Sequence, residues 1–217
     1  MPQRRLVIAA SVIAGLLTAC SQKPTTSVAG RQNPFFSKST LPFEAPPFDK
    51  IQNSDYQPAI DSGMSAQIAE VRAIADNPAP PTFENTFVAL EKSGALLNRV
   101  SQVFNGVTGA NTNDTLQKIS ELEAPKFAAH QDAIFLDSAL FKRVETTYGA
   151  RDTLKLDPES KRLVEWDYER FVHAGARLSN ADKAKLQELN KEESSLSAAF
   201  TNKLLAAAKA GALVIDY

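Results

Sequence analysis

The chain has 217 residues, of which 43% are hydrophobic and 23% charged, and its formal net charge is −1. That length is enough for one domain with a sizeable core, and the composition is ordinary for a globular protein. The sign-alternating runs Asp182–Lys185 and Lys191–Glu193 are typical of solvated helix faces rather than of a basic stripe. We therefore expect no nucleic-acid partner.

The N-terminus has the pattern of a lipoprotein export signal. Two arginines precede an apolar run, Leu6–Leu17, which is too short to span a bilayer and fits the centre of a signal peptide. Leu17-Thr18-Ala19-Cys20 then resembles the bacterial lipobox, in which the cysteine is acylated and becomes the new N-terminus. We predict a signal peptide over residues 1–19 and lipidation at Cys20. The alternative is an incidental cysteine that is lost with the signal.

The surroundings of Cys20 predict a location. No other cysteine is present, so no disulfide can form within the chain and core packing must provide its stability. Serine, not aspartate, follows Cys20, which favours the outer over the inner membrane. We expect a protein of the bacterial cell envelope, anchored in the membrane through lipid on Cys20 and facing the periplasm. Residues 20–33 would be a flexible tether and residues 34–217 a helical domain.

The domain is predicted to begin with a proline-rich extended arm. Prolines 34, 42, 46, 47 and 58 alternate with phenylalanines 35, 36, 43 and 48. Prolines at that spacing forbid a continuous helix, so the arm should lie extended over the domain with its phenylalanines inserted. The alternative is that the arm is a ligand for another protein.

Helical periodicity follows as far as the C-terminus. Apolar residues three and four apart predict one helix ending at Asn77-Pro78 and another that begins after the N-cap Thr82 and contains a weak point at Ser93-Gly94. Further helices are predicted over 113–134, with a kink or break at Pro125, and over 138–148. Two more begin at the caps Asp157 and Ser179, and the last of them runs to Gly211. Ala212–Ile215 predicts the start of a strand. The fold class is all-α, an irregular array of helices without internal repeats.

The sequence predicts no catalytic, cofactor-binding or metal-binding residue. His130 and His173 are far apart in sequence, so the chain has no His-Glu-x-x-His zinc motif. Glu169 and His173, one helical turn apart, could supply two metal ligands, but a surface pair is the simpler interpretation. The neighbouring carboxylates Glu121 and Glu123 are interpreted as solvated charges, and so are Glu192 and Glu193.

Several motifs in order resemble the N-terminal region of the thimet oligopeptidase-like zinc metallopeptidases, in their bacterial peptidyl-dipeptidase (dipeptidyl carboxypeptidase) branch. The motifs are Asn33–Phe36, Leu41–Ile51, Pro81–Thr86, Ala89–Gly94, Glu123–Lys126 with His130, Leu140–Val144 and Phe200–Ala212. The resemblance covers the chain from Asn33 onwards. It implies early helices of a neurolysin-like lobe that walls a channel for oligopeptides. Members of that family bind zinc through a motif in their C-terminal half, which has no counterpart here.

Two main hypotheses follow. In the first, the chain is the non-catalytic N-terminal part of an exported zinc peptidyl-dipeptidase, is inactive alone and exposes the apolar face that packs on the missing catalytic half. The chain would then be a truncated gene, a partial record or a stand-alone product. In the second, it is an independent lipid-anchored helical module that binds peptides or an envelope partner. A small enzyme that uses Glu169 and His173 is a third possibility.

Overall fold

In the computed structural model, residues 31–212 are described, and those from Asn33 onwards form one compact unit. Its α-helices are α1 (Asn53–Ala75), α2 (Ala89–Lys92), α3 (Ala95–Ala110), α4 (Asp114–Phe135), α5 (Ser138–Ala150), α6 (Pro158–His173) and α7 (Asn180–Ala210). A π-helical stretch, Phe83–Val88, leads into α2. The described residues contain no strand, so the predicted all-α class is confirmed. None of their helices is both long and apolar enough to cross a membrane.

The helix ends follow the local capping chemistry that the sequence predicts. Thr82, Asn113, Asp157 and Ser179 each accept a hydrogen bond from a backbone N–H of the first turn that they precede. Pro158 stands at the first position of α6, where a missing N–H costs nothing. These predicted boundaries are confirmed because a cap depends only on its immediate neighbours.

Two prolines lie inside helices, Pro58 where the extended arm is predicted and Pro125 where a kink or break is predicted. Pro58 is the sixth residue of α1, which begins at a capping box formed by Gln52 and Asp55. This position lies beyond the first four N–H groups, so the proline removes one intrahelical hydrogen bond, and α1 continues to Ala75 despite that loss. Pro125 likewise does not end α4, which continues to Phe135.

The N-terminal arm is extended apart from two short turns, but most of its phenylalanines are not inserted. Phe35 is buried, and Arg99 of α3 donates two hydrogen bonds to its carbonyl oxygen. Phe36, Phe43 and Phe48 are exposed. The prediction of an arm held by several phenylalanines is therefore wrong, since a single ring anchors the segment to the described helices.

Two hydrophobic clusters share α1 and α4. The first cluster joins Phe35, α1, α3 and the beginning of α4 around Tyr56, Ile60, Val100 and Leu116. The second joins the end of α1, the end of α4, α5 and α6 around Val71, Phe87, Leu140 and Phe171. Since the same two helices pass through both clusters, α1 and α4 form the frame on which the other helices pack.

Two glycines shape the packing of α1 against α3. A Cβ atom on Gly63 would stand 2.8 Å from Leu97 Cα, so the two backbones meet here in close contact. Gly94 has a φ of 73°, a left-handed conformation that ends α2 and permits α3 to begin in a new direction. The predicted weak point at Ser93-Gly94 is thus a break between two helices.

Candidate functional site

Helix α7 presents large apolar side chains to solvent. Leu189, Leu196, Phe200 and Leu204 are 61%, 62%, 67% and 58% exposed. They are seven, four and four positions apart, which places them along one side of the helix. We call these four residues the α7 stripe. Contiguous exposed apolar surface of this kind marks an interaction site on a soluble protein.

Small and polar side chains attach α7 to α4. Asn190 donates to Asp132 Oδ1 at 2.7 Å, and Asn202 donates to Glu121 Oε1 at 2.8 Å. Near the start of α7, Lys183 Nζ donates to the carbonyl oxygen of Leu136 at 2.9 Å. The helix therefore turns these polar groups towards the described fold and leaves the four apolar side chains of the stripe exposed.

Lys183 corrects one sequence interpretation. The sign-alternating run Asp182–Lys185 predicts a solvated face, but Lys183 is buried against the end of α4 and donates also to Ser138 Oγ at 3.0 Å. Sign alternation does not reveal this contact, because the acceptor lies on a residue 47 positions away. Lysine can fill such a position since its long apolar stem reaches buried acceptors.

The position of Glu123 corrects a second sequence interpretation. Glu123 is 1% exposed, whereas the sequence predicts a solvated pair with Glu121. Glu123 Oε1 accepts from Gln57 Nε2 at 3.0 Å and from Lys126 Nζ at 2.9 Å, and Lys126 also donates to Asp61 Oδ1 at 2.7 Å. The two carboxylates are two positions apart on α4, so Glu121 contacts α7 while Glu123 contacts α1.

The two histidines have separate surroundings. His130 is buried, its Nε2 donates to Gln67 Oε1 at 2.8 Å, and burial lowers its pKa. His173 is exposed at the end of α6, and Glu169 lies 3.9 Å from Arg162. Across residues 31–212 no group of three or more His, Cys, Asp or Glu side chains could hold a metal ion.

Residues of the resemblance motifs act as structural connectors. Arg143 of α5 is buried and donates to the carbonyl oxygens of Asn77 and Ala79, at 2.8 and 3.0 Å, and to Asn85 Oδ1 at 2.8 Å. Asn85 also completes the capping box with Thr82. These bonds fix the loop between α1 and the π-helical stretch on α5. The motif residues in this region therefore hold helices together.

A small cavity contains the acidic residue that sequence analysis missed. About 100 Å³ in volume, it is lined by Asp167, Arg170 and Phe171 of α6, by Glu91 and Ser93, and by residues of α1 and α4. Asp167 is 5% exposed, and its Oδ2 atom has no hydrogen-bond partner among the described residues. Its position three residues after Val164 and four before Phe171, on the buried side of α6, was the available signal.

The pKa of Asp167 is raised to about 6. Burial is the largest cause, and the negative charge of Glu91 adds to it. The positive charge of Arg170 opposes both, but the two side chains form no ion pair in the described structure. The guanidinium carbon of Arg170 lies instead 4.4 Å from the ring centroid of Phe135 and 5.2 Å from that of Trp166.

Other predicted features fall outside the described residues. Cys20, the signal peptide and most of the tether precede Arg31, and the predicted strand extends beyond Ala212. Among residues 31–212, the structure contributes the α7 stripe, the buried polar contacts of α4 and the Asp167 cavity as candidate functional features.

Comparison with known proteins identifies the relatives. The chain is 50% identical over 184 residues to the dipeptidyl carboxypeptidase of Escherichia coli strain K12, and 48% identical over the same length to that of Salmonella typhimurium strain LT2. Each match covers 85% of this chain but 27% of the relative, at its N-terminal end. No protein-family model matches the chain. The resemblance to the N-terminal region of peptidyl-dipeptidases is thereby confirmed.

Proposed function

We propose that this chain, a homologue of the N-terminal part of the dipeptidyl carboxypeptidases, is the non-catalytic portion of a zinc peptidyl-dipeptidase that removes dipeptides from the C-termini of oligopeptides. The match of 85% of the chain to 27% of its relatives carries the proposal. Under this proposal, the helices form part of the wall of the substrate channel. Zinc and the groups that activate water belong to the remainder of such an enzyme.

The α7 stripe is proposed as the surface on which that catalytic remainder packs. Phe200 and Leu204 of the stripe lie within the motif Phe200–Ala212, on which part of the resemblance rests. Burying four large apolar side chains would contribute on the order of 1.5–3 kcal/mol for each one fully covered. The stripe is therefore large enough to stabilise an interface between two parts of one lobe.

We further propose that the chain is inactive by itself. The sequence given contains two histidines in unrelated positions, whereas zinc peptidases of this type need two on adjacent helical turns. Purified chain should contain zinc well below one atom per molecule and should release no dipeptides from oligopeptides, as measured by elemental analysis and mass spectrometry. Zinc-dependent release of dipeptides that a chelator abolishes would refute the proposal.

Export and lipid anchoring are proposed on the pattern Leu17-Thr18-Ala19-Cys20 after a short apolar run. In a Gram-negative host, the wild-type chain should incorporate labelled palmitate and fractionate with the outer membrane. Cys20→Ser should lose both the label and the membrane association. A Cys20→Ser chain that keeps its label would show that the lipid is attached elsewhere or that the label is not specific.

A further inference from the structure

The Asp167 cavity has the chemistry of a small cation site. Its lining includes two carboxylates, Asp167 and Glu91, together with the hydroxyl of Ser93 and the amide of Gln131. Oxygen atoms of carboxylate, amide and hydroxyl groups are the ligands preferred by hard cations such as Ca²⁺ and Mg²⁺. Since only two of these groups are acidic, the cavity is not a cluster of three or more His, Cys, Asp or Glu side chains, of which residues 31–212 contain none.

The unpartnered Oδ2 of Asp167 points to a missing ligand. A carboxylate that is 5% exposed and lacks a donor is costly, because burial removes the water that would otherwise solvate its charge. Arg170 does not form an ion pair with it, since the guanidinium lies over the rings of Phe135 and Trp166. An ion in the cavity would supply positive charge in direct contact with the carboxylate, which Arg170 does not do in the described structure.

The volume and the charge of the Asp167 cavity both fit a bound cation. A water molecule takes up about 30 Å³ in the liquid, so a cavity of about 100 Å³ has room for one ion and roughly two waters. When Asp167 and Glu91 are both ionised, the cavity residues carry two negative charges and one positive charge, that of Arg170. Their net charge is then negative. The residues contributed by α1 and α4 are uncharged: Gln67, Val71, Gln131, Ile134 and Phe135.

We propose that this cavity binds one hard divalent cation, calcium or magnesium, with Asp167 and Glu91 as its charged ligands. The site joins α6 to the region where α2 ends at the Ser93-Gly94 break. A bound ion would therefore stabilise the contact between α6 and the frame helices. The proposed cation site shares no residue with the α7 stripe. The proposal of this site does not depend on the proposed peptidase function.

Equilibrium dialysis of the full chain against calcium chloride or magnesium chloride tests the proposal, whether the chain is monomeric or associated. At pH 7.5 the wild-type chain should bind one ion of at least one of the two metals saturably. Asp167→Asn keeps the shape of the side chain and should bind at least about tenfold more weakly, because ligand charge tunes the affinity of such sites. Glu188→Gln, which removes an exposed carboxylate from α7, should bind like the wild type.

A second readout protects the test against misfolding of the variant. The cation should raise the thermal midpoint of the wild-type chain progressively as its concentration exceeds the dissociation constant, and at the same concentration should raise that of Asp167→Asn less, since only the form that binds is stabilised. Circular dichroism would verify that the variant is helical. Absence of saturable binding by the wild-type chain, or equal binding by Asp167→Asn, would overturn the proposal.

Discussion

At the scale of single residues, position in a helix determines burial more than residue type does. Asp167 and Glu123 are both acidic and both almost fully buried, yet Glu123 accepts hydrogen bonds from Gln57 and Lys126 while Asp167 Oδ2 has no partner in the described structure. Glu123 Oε2 also has no partner among the described residues, so the difference lies in the two donors to Glu123 Oε1, one of which is the cation Lys126. A buried carboxylate bonded to a cation connects helices, whereas one without such a bond weakens the fold when it ionises.

Replacing Asp167 by Asn should stabilise the metal-free protein at neutral pH. The pKa of Asp167 is about 6 in the folded state, whereas an unperturbed aspartic acid has a pKa of 3.8. The folded chain therefore holds this proton more tightly than the unfolded chain does. Stability conferred by the protonated acid is therefore lost as the pH rises from about 4 to above 6, and the penalty is complete at pH 7. We expect Asp167→Asn to gain about 1–3 kcal/mol at pH 7.

Urea unfolding in the presence of a chelator measures this difference. The gain should shrink steadily as the pH is lowered from 7 towards 4, because the aspartic acid of the folded wild type is then neutral like the amide. A variant that is less stable than the wild type at pH 7, or a difference independent of pH, would contradict the assigned environment of Asp167.

Arg143 should be among the most sensitive buried residues. Arg143→Met keeps an apolar stem but removes the donors to the carbonyl oxygens of Asn77 and Ala79 and to Asn85. We expect a loss of about 2–4 kcal/mol in the free energy of unfolding, since three hydrogen bonds of a buried guanidinium are removed and the carbonyl oxygens of Asn77 and Ala79 lose this donor. Lys142→Met, at the adjacent exposed position on α5, should change stability by less than about 0.5 kcal/mol. Equal effects of the two substitutions in chemical denaturation would show that the Arg143 contacts are energetically unimportant.

At the scale of helices, the sequence predicts what is local and misses what depends on a neighbour. Caps such as Asp157 and Ser179 act within one turn, so their helices begin where predicted. Burial of Lys183 and Glu123 depends on which helix lies opposite, and periodicity does not supply that information. The Asp167 cavity was missed for the same reason, because helices far apart in the sequence form its walls.

The glycines of α1 and α3 provide a matched test of helix packing. Gly63→Ala would bring a methyl group to 2.8 Å from Leu97 Cα, and we expect it to destabilise the fold by about 1–3 kcal/mol as the helices are forced apart. Gly106→Ala in α3 meets no atom within 4 Å, and it should stabilise the fold by about 0.5–1 kcal/mol through better helix propensity. Thermal or urea unfolding of both variants would reveal the opposite signs, and a stabilising Gly63→Ala would exclude the close contact.

At the scale of the whole molecule, the described helices bury two clusters and leave the α7 stripe uncovered. The resemblance to the N-terminal region of peptidyl-dipeptidases and the all-α class are both confirmed, because ordered motifs and helical periodicity can be recognised without knowing which helices are neighbours. Anchoring through Cys20 and absence of activity in the isolated chain stay predictions. The two hypotheses differ in what the α7 stripe contacts. In the first it is the catalytic remainder of the enzyme, and in the second it is a separate peptide or envelope partner.

An uncovered stripe should make the isolated chain self-associate. Leu196→Gln combined with Phe200→Gln should shift sedimentation towards the monomer at micromolar concentration, because both side chains are more than 60% exposed and contribute apolar area to association. Because both side chains are exposed, the double substitution should change the free energy of unfolding only slightly. Glu188→Gln on the same helix is the control and should sediment like the wild type. A wild-type chain that is monomeric under these conditions would favour the independent module.

Reconstitution tests the central claim, that this chain is the non-catalytic part of a peptidyl-dipeptidase and packs through the α7 stripe. The E. coli dipeptidyl carboxypeptidase lacking its matching N-terminal 27% would be mixed or coexpressed with this chain, and release of dipeptides from an oligopeptide measured. We predict that the wild-type chain forms a complex and restores activity, while the Leu196→Gln, Phe200→Gln double variant does neither. Failure of the wild-type chain to bind a soluble, folded remainder, or equal restoration by the double variant, would contradict the claim.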